Sequence, residues 1–159
     1  MYGGAGRVHD GRMRRVLVWF TILQLVLVIL QFYLATFGAF QMPRPTTPEG
    51  AAIGWHAMNG IIAIPAASLL TTIVAAIAKA PGKLIGLCAA PLVLVAIQIF
   101  VVFPLAEVAG ATEERTTTAS LFVFGFHAIV GLGLLGAAIA AYRGAKQHAA
   151  ATAQAVDAV

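Results

Sequence analysis

The stretch VLVWFTILQLVLVILQFYLATFGAF, residues 16–40, decides the fold class. It carries no charged residue, and it exceeds the roughly 20 apolar residues that a helix needs to cross a bilayer. Lipid leaves only helices and closed barrels as spanning structures. The stretch lacks the apolar/polar alternation of a barrel strand, so it reads as a helix. It is longer than a signal-peptide core, and no A-x-A site closes it, so it reads as a retained span.

Three further runs of the same kind follow, at about 51–78, 84–106 and 120–142. The expected fold is therefore all-α: a four-helix transmembrane bundle. Composition agrees. Of 159 residues, 60% are hydrophobic and 10% charged. A soluble domain carries about 25% charged residues, so this chain lacks the polar groups to cover a water-facing surface. That excludes a soluble enzyme and a disordered chain. The length suits one domain. One Cys, Cys88, rules out an internal disulfide and lies in an apolar run, where a buried inert thiol is expected.

Charge sets the orientation. Arg7, Arg12, Arg14, Arg15, Lys79, Lys83, Arg143 and Lys146 fall on one side of the spans. Arg44 and Arg115 fall on the other, beside Glu49, Glu107, Glu113 and Glu114. The positive-inside rule then places both termini in the cytoplasm. Trp19 and Tyr142 are expected at the inner interface and Trp55 near the outer one. Residues 1–15 form a basic cytoplasmic tail, 16–142 the membrane domain, and 143–159 an Ala-rich cytoplasmic tail, frayed or disordered. His9 and His148 lie in these tails and are expected to be solvated. The net charge of +4 is scattered over span ends, so it is no nucleic-acid signal.

The chain repeats itself. LVLVILQ at 25–31 returns as LVLVAIQ at 92–98, and GWHAMNG at 54–60 returns as GFHAIVG at 125–131. Spans one–two and three–four thus read as two similar hairpins running the same way, related by an axis along the membrane normal. Features of one hairpin should face their copies across that axis.

The repeat brings His56 and His127 to matching depth, roughly 8 Å and 10 Å below the outer helix ends at 1.5 Å per residue. Ionisable groups inside a membrane mark functional sites by default. Two imidazoles facing each other without a carboxylate suit axial ligation of one haem iron. A neutral imidazole also avoids the cost of burying a charge. Gly60 and Gly131 each follow their His by one helical turn, where a missing side chain lets a porphyrin approach the backbone. Arg44 and Arg115 lie on the outer side, where their forks suit haem propionates. Zinc fits less well, because it usually takes a third protein ligand or more. The competing reading is structural. A His can bond a neighbouring helix, and small residues at four-residue spacing are ordinary packing in membrane helices. Gln31 and Gln98, the other repeated polar pair, are expected to bond between helices, with a contact to a ligand His or a quinone as the alternative. Asn59 has no copy. Pro65, Pro91 and Pro104 are expected to kink their helices.

The segment Gln31 to Phe40, with Trp55-His56-x-x-x-Gly60, Gln98 and Phe126-His127-x-x-x-Gly131, resembles a family of small bacterial four-helix integral membrane proteins of unknown function, over about residues 16–142. The layout is similar to one four-helix half of haem A synthase, and more distantly to b-type cytochromes. The resemblance implies a bacterial plasma-membrane protein with His56 and His127 as axial ligands of one haem b. The chain departs from haem A synthase where a Glu precedes the second-helix His. Here Ala51 to Trp55 holds no acid, which counts against oxidative chemistry. No second His pair lies in the inner half, which counts against a cross-membrane electron wire.

Two functions follow. The first is a mono-haem b protein for electron transfer or redox or gas sensing, with a quinone or a redox protein as partner beside the lipid bilayer. The alternative is a non-catalytic membrane subunit or scaffold with a structural His pair. An ion path is weaker, since the spans offer no carboxylate or Lys deep in the core.

Overall fold

The computed structural model describes residues 4–43, 45, 51–112 and 114–157; Arg44, Glu49, Glu113 and the side chain of His9 lie outside this description. Among the described residues are four long helices and no strand. Helix one is Gly4–Ala39, helix two Ile53–Ile77, helix three Gly82–Val108 and helix four Thr118–Asp157. Each is long and apolar enough to cross a membrane, which fits an integral membrane protein. The outer surface supports this. Phe122 is 75% exposed, Phe100 74%, Trp19 70% and Trp55 68%. In water such a surface would be a large aggregation-prone patch.

Helix one packs on helices two and four, and helix three packs on the same two. The bundle is thus a square in chain order, with helices two and four across a diagonal. Helices one and four run past the apolar spans. Their extensions are tied together: Arg14 Nη1 donates to the carbonyl of His148 at 3.1 Å, and His148 Nε2 donates to the carbonyl of Ala78 at 3.1 Å. The Ala-rich stretch expected to fray is therefore helical as far as Asp157, and His148 is half-buried. These contacts gather both helix extensions and the two–three turn at one end, called here the basic end.

That turn is a tight stop. Ala80 N–H reaches the Ala75 carbonyl and Lys79 N–H the Ala76 carbonyl, with Lys79 at φ 54°. This double bond satisfies two of the carbonyls that a helix end otherwise leaves unpaired. Gly110 ends helix three the same way at the far end, at φ 93°, where a left-handed backbone favours glycine.

The core is layered. Nearest the basic end, Leu17, Ala75, Ala78, Ala80, Leu84, Cys88, Ala141 and Ala145 close the bundle. Small residues let membrane helices approach, and dispersion then holds them. Gly144 is so close to Leu84 that a Cβ would lie 2.9 Å from its Cδ1. Next comes a polar node around Pro91, which has no N–H and leaves its helix a bond short. Ser68 Oγ donates to the Cys88 carbonyl at 2.7 Å and accepts from Leu92 N–H at 3.2 Å. Gln24 Nε2 donates to the same carbonyl at 3.0 Å. Above the node, Val28, Ile64, Val95, Leu134 and Ala138 form an apolar layer.

Pro65 and Pro104 each stand beside an irregularity in their helix. Each follows one π-helical turn, Asn59–Ala63 in helix two and Gln98–Val102 in helix three. Ile64 N–H bonds the Asn59 carbonyl, and Phe103 N–H the Gln98 carbonyl, five residues back. A proline ring collides with the carbonyl four residues earlier. The extra residue in a π turn moves that carbonyl aside.

Candidate functional site: a histidine pair in a four-helix cavity

Beyond the apolar layer the bundle holds a cavity of about 540 Å³, within the usual range for small-molecule sites. Val28, Ile64, Val95 and Leu134 floor it. All four helices contribute to its wall, which is apolar except for Gln31, His56, Gln98 and His127. These are the four polar residues that the repeat singled out.

The two imidazoles meet there. Their ring centroids are 5.9 Å apart, with planes inclined at 57°. Both are half-buried. They come from helices two and four, so the rings bridge the diagonal that no packed pair of helices fills. Phe103 lies on the other side of His127, with centroids 5.4 Å apart.

Their hydrogen bonding differs sharply. His56 Nδ1 donates to the Gln31 carbonyl at 3.0 Å, so its proton is on Nδ1. Its Nε2 therefore keeps a lone pair, which accepts from Gln31 Nε2 at 3.1 Å. Gln31 Oε1 accepts in turn from Asn59 Nδ2 at 2.8 Å, and the same Nδ2 reaches the Leu27 carbonyl at 2.9 Å. Gly60 makes this possible, since a Cβ there would lie 2.7 Å from Gln31 Nε2. In the second hairpin, Gln98 Nε2 donates instead to the main-chain carbonyl of His127 at 2.8 Å. Gln98 Oε1 and His127 Nδ1 are buried and have no partner among the described residues. The reason is visible in the repeat frame. The position of Asn59 is taken by Val130, so no amide is present to hold the second Gln toward its ring.

Of the residues singled out from the sequence, His56, His127, Gly60 and Gly131 all line the cavity. Gly60 makes room for the Gln31 amide, and Gly131 faces Phe32, which a Cβ would meet at 3.7 Å. Arg115 is exposed in the far loop, where its main chain pairs with Thr112, and it is not part of the cavity wall. Arg44 lies outside the described residues. The Gln24–Ser68 node was not anticipated. Its signal was present: Gln24 and Gln31 are two helical turns apart and share a face.

A metal at this site would be held by the imidazoles of His56 and His127, whose ring centroids are 5.9 Å apart. His56 already has the bond that ligand histidines make, its second nitrogen donating to a main-chain carbonyl. The Gln31 amide occupies the lone pair of His56 Nε2 and would have to turn away before anything else bound there. A tetrahedral zinc site is poorly provided for, since no three His, Cys, Asp or Glu side chains gather among the described residues. Comparison with protein-family models, curated proteins and solved structures finds no match to this chain.

Proposed function

We propose that the chain is a mono-haem b membrane protein, with one haem held between His56 and His127 near the outer face, for one-electron transfer or redox or gas sensing. One observation carries this reading: the two intramembrane imidazoles stand 5.9 Å apart across the diagonal of the bundle, at an apolar cavity. A bound haem supplies an iron that changes oxidation state by one electron, with a potential tuned by its axial ligands and burial. The protein's own part is to present two neutral imidazoles and to exclude water. His56 is oriented by the Gln31 carbonyl, a contact that fixes its tautomer and the direction of its ring. The apolar layer of Val28, Ile64, Val95 and Leu134 seals the cavity from the basic end. A quinone in the bilayer or a redox protein would be its partner.

The charge bias supports an orientation with both termini in the cytoplasm, which makes the far end the outer one. Cysteine labelling at Glu114 from outside, with protection of a cysteine placed after Arg143, checks this. An external C-terminus overturns it.

The second reading, a non-catalytic subunit with a structural His pair, draws on the two hydrogen bonds between Gln31 and His56. A visible spectrum separates the two. Protein expressed with ample haem supply is expected to show a low-spin b-type spectrum. Protein that stays colourless under saturating supply is the structural case.

A further inference from the structure

Among the described residues, three of the four helix–helix edges of the cavity are bridged by a named contact. Between helices one and two, Gly38 lies so close to Ile53 that a Cβ would be 2.6 Å from its Cα. Between helices three and four, Phe103 and Phe124 meet edge to face with centroids 6.2 Å apart. Between helices four and one, Phe32 lies against Gly131. The apolar layer closes the floor.

The fourth edge is different. Helices two and three pack along Ile64–Ile77 and Gly82–Ile97. Beyond the π turns they part. Ile53–Met58 leans on helix one, Phe103–Val108 leans on helix four, and these two segments do not pack on each other. Both π turns lie six residues from the far end of their helix, Asn59 from Ile53 and Val102 from Val108, so both helices deviate at one level. Ala57 and Ile61 on helix two and Phe103 on helix three are exposed, and all three line the cavity. No residue of 53–64 or 95–105 is charged. The edges of this cleft therefore belong in hydrocarbon rather than in water.

We propose that the far halves of helices two and three form a lateral portal, through which a flat, lipid-dissolved ring compound passes between the bilayer and the His56–His127 cavity. The π turns are its hinges. They are where both helices leave regular α-helical bonding, as single π turns at functional sites often do. The ligand class follows from the route. A molecule that enters through hydrocarbon must itself partition into lipid, as haem does and a hydrophilic metabolite does not. Only the uptake arm of the following test rests on the haem reading.

The first arm uses a chain in which Trp19 and Trp55 are Phe and the one indole is supplied by His127→Trp, in bilayers of phospholipid brominated on shallow acyl carbons. Fluorescence quenching within twofold of that seen for Phe126→Trp, on the exposed side of the same helix, is expected. Adding Ala57→Phe at the cleft should cut quenching of the indole at position 127 at least threefold and leave that at position 126 unchanged. Ala128→Trp, also on the cavity wall, replaces His127→Trp if that chain does not insert. An indole in the cavity that is unquenched, or indifferent to Ala57→Phe, overturns the portal. In the second arm, otherwise wild-type chain and Ala57→Phe take up haem from haemin-loaded vesicles. Uptake about tenfold slower in the variant is expected, and equal rates overturn the route. A wild type that never takes up haem sinks the haem reading, while the quenching arm still decides the portal.

Discussion

At the basic end, Leu17, Ala75, Leu84, Cys88, Ala141 and Ala145 bring side chains of all four helices into one buried cluster. At the far end, the same helices line a cavity of about 540 Å³, and among the described residues Ile53–Met58 and Phe103–Val108 do not pack on each other. Both halves are apolar, so hydrophobicity does not distinguish them. Two other things do. The basic half interlocks small side chains and repairs its proline with a hydroxyl from the next helix. The far half has a proline after a π turn in each of two neighbouring helices, the two turns stand at one level, and beyond them the helices separate. Four spans therefore make a closed base and an open head from one kind of material.

The largest expected effect tests the purpose of the open half. His56→Ala and His127→Ala should each abolish a low-spin haem spectrum while leaving membrane insertion intact, because apolar length rather than His drives insertion. A double variant that keeps the spectrum removes the site from this cavity.

The next test sets the halves against each other with the same substitution. Ala141→Leu overfills the closed base and should cost about 1–3 kcal/mol. Ala128→Leu, on the exposed wall of the cavity, should stay within about 0.5 kcal/mol of wild type. Unfolding of both proteins in mixed detergent micelles measures the difference. Equal costs would mean that the two halves are equally packed.

Ser68→Ala probes the repair at Pro91. It leaves Leu92 N–H without its acceptor and removes one of two donors from the Cys88 carbonyl. Hydrogen bonds between membrane helices average about 0.6 kcal/mol and reach about 1.7, so a loss of about 1 kcal/mol is expected. Full stability in the variant would show that Gln24 alone holds the node.

Gly60→Ala is the smallest change and acts inside the site. The new methyl pushes the Gln31 amide off His56 Nε2. Ligand binding then no longer has to break that bond. At about 0.6 kcal/mol for such a bond, haem affinity should rise roughly threefold. A haem titration checks this, and a fall in affinity would mean that Gln31 helps the bound state rather than covering the free one.

Much of this was legible in the chain. Unbroken apolar length made the four spans, because lipid accepts no other backbone arrangement for such runs. The shared Gly-aromatic-His-Ala-x-x-Gly frame placed His56 and His127 on corresponding helices, and the side-chain period of a helix put Gly60 and Gly131 on their faces. Both pairs do line one cavity. Arg115 shared only a side of the membrane with them, and a loop residue's reach is not set by any period. The unequal treatment of the two rings was half visible, in an Asn59 that had Val130 as its copy. That Gln31 uses both its carbonyl and its amide on one imidazole was not visible, because each bond crosses between helices.

The sequence by itself determined where the chain crosses the bilayer, which residues share a face and which polar groups recur, since length, periodicity and charge are properties of one strand of chain. Only the tertiary structure decided which helices adjoin, that Ser68 bonds the main chain on either side of Pro91, and that helices two and three part beyond Asn59 and Val102. Those outcomes depend on how side chains of one helix fit the gaps of another, and on where a proline's displaced carbonyl finds room. A proline has the same local effect wherever it stands; its neighbours across the bundle decide whether that effect is filled, as at Pro91, or left as an opening, as beyond the π turns before Pro65 and Pro104.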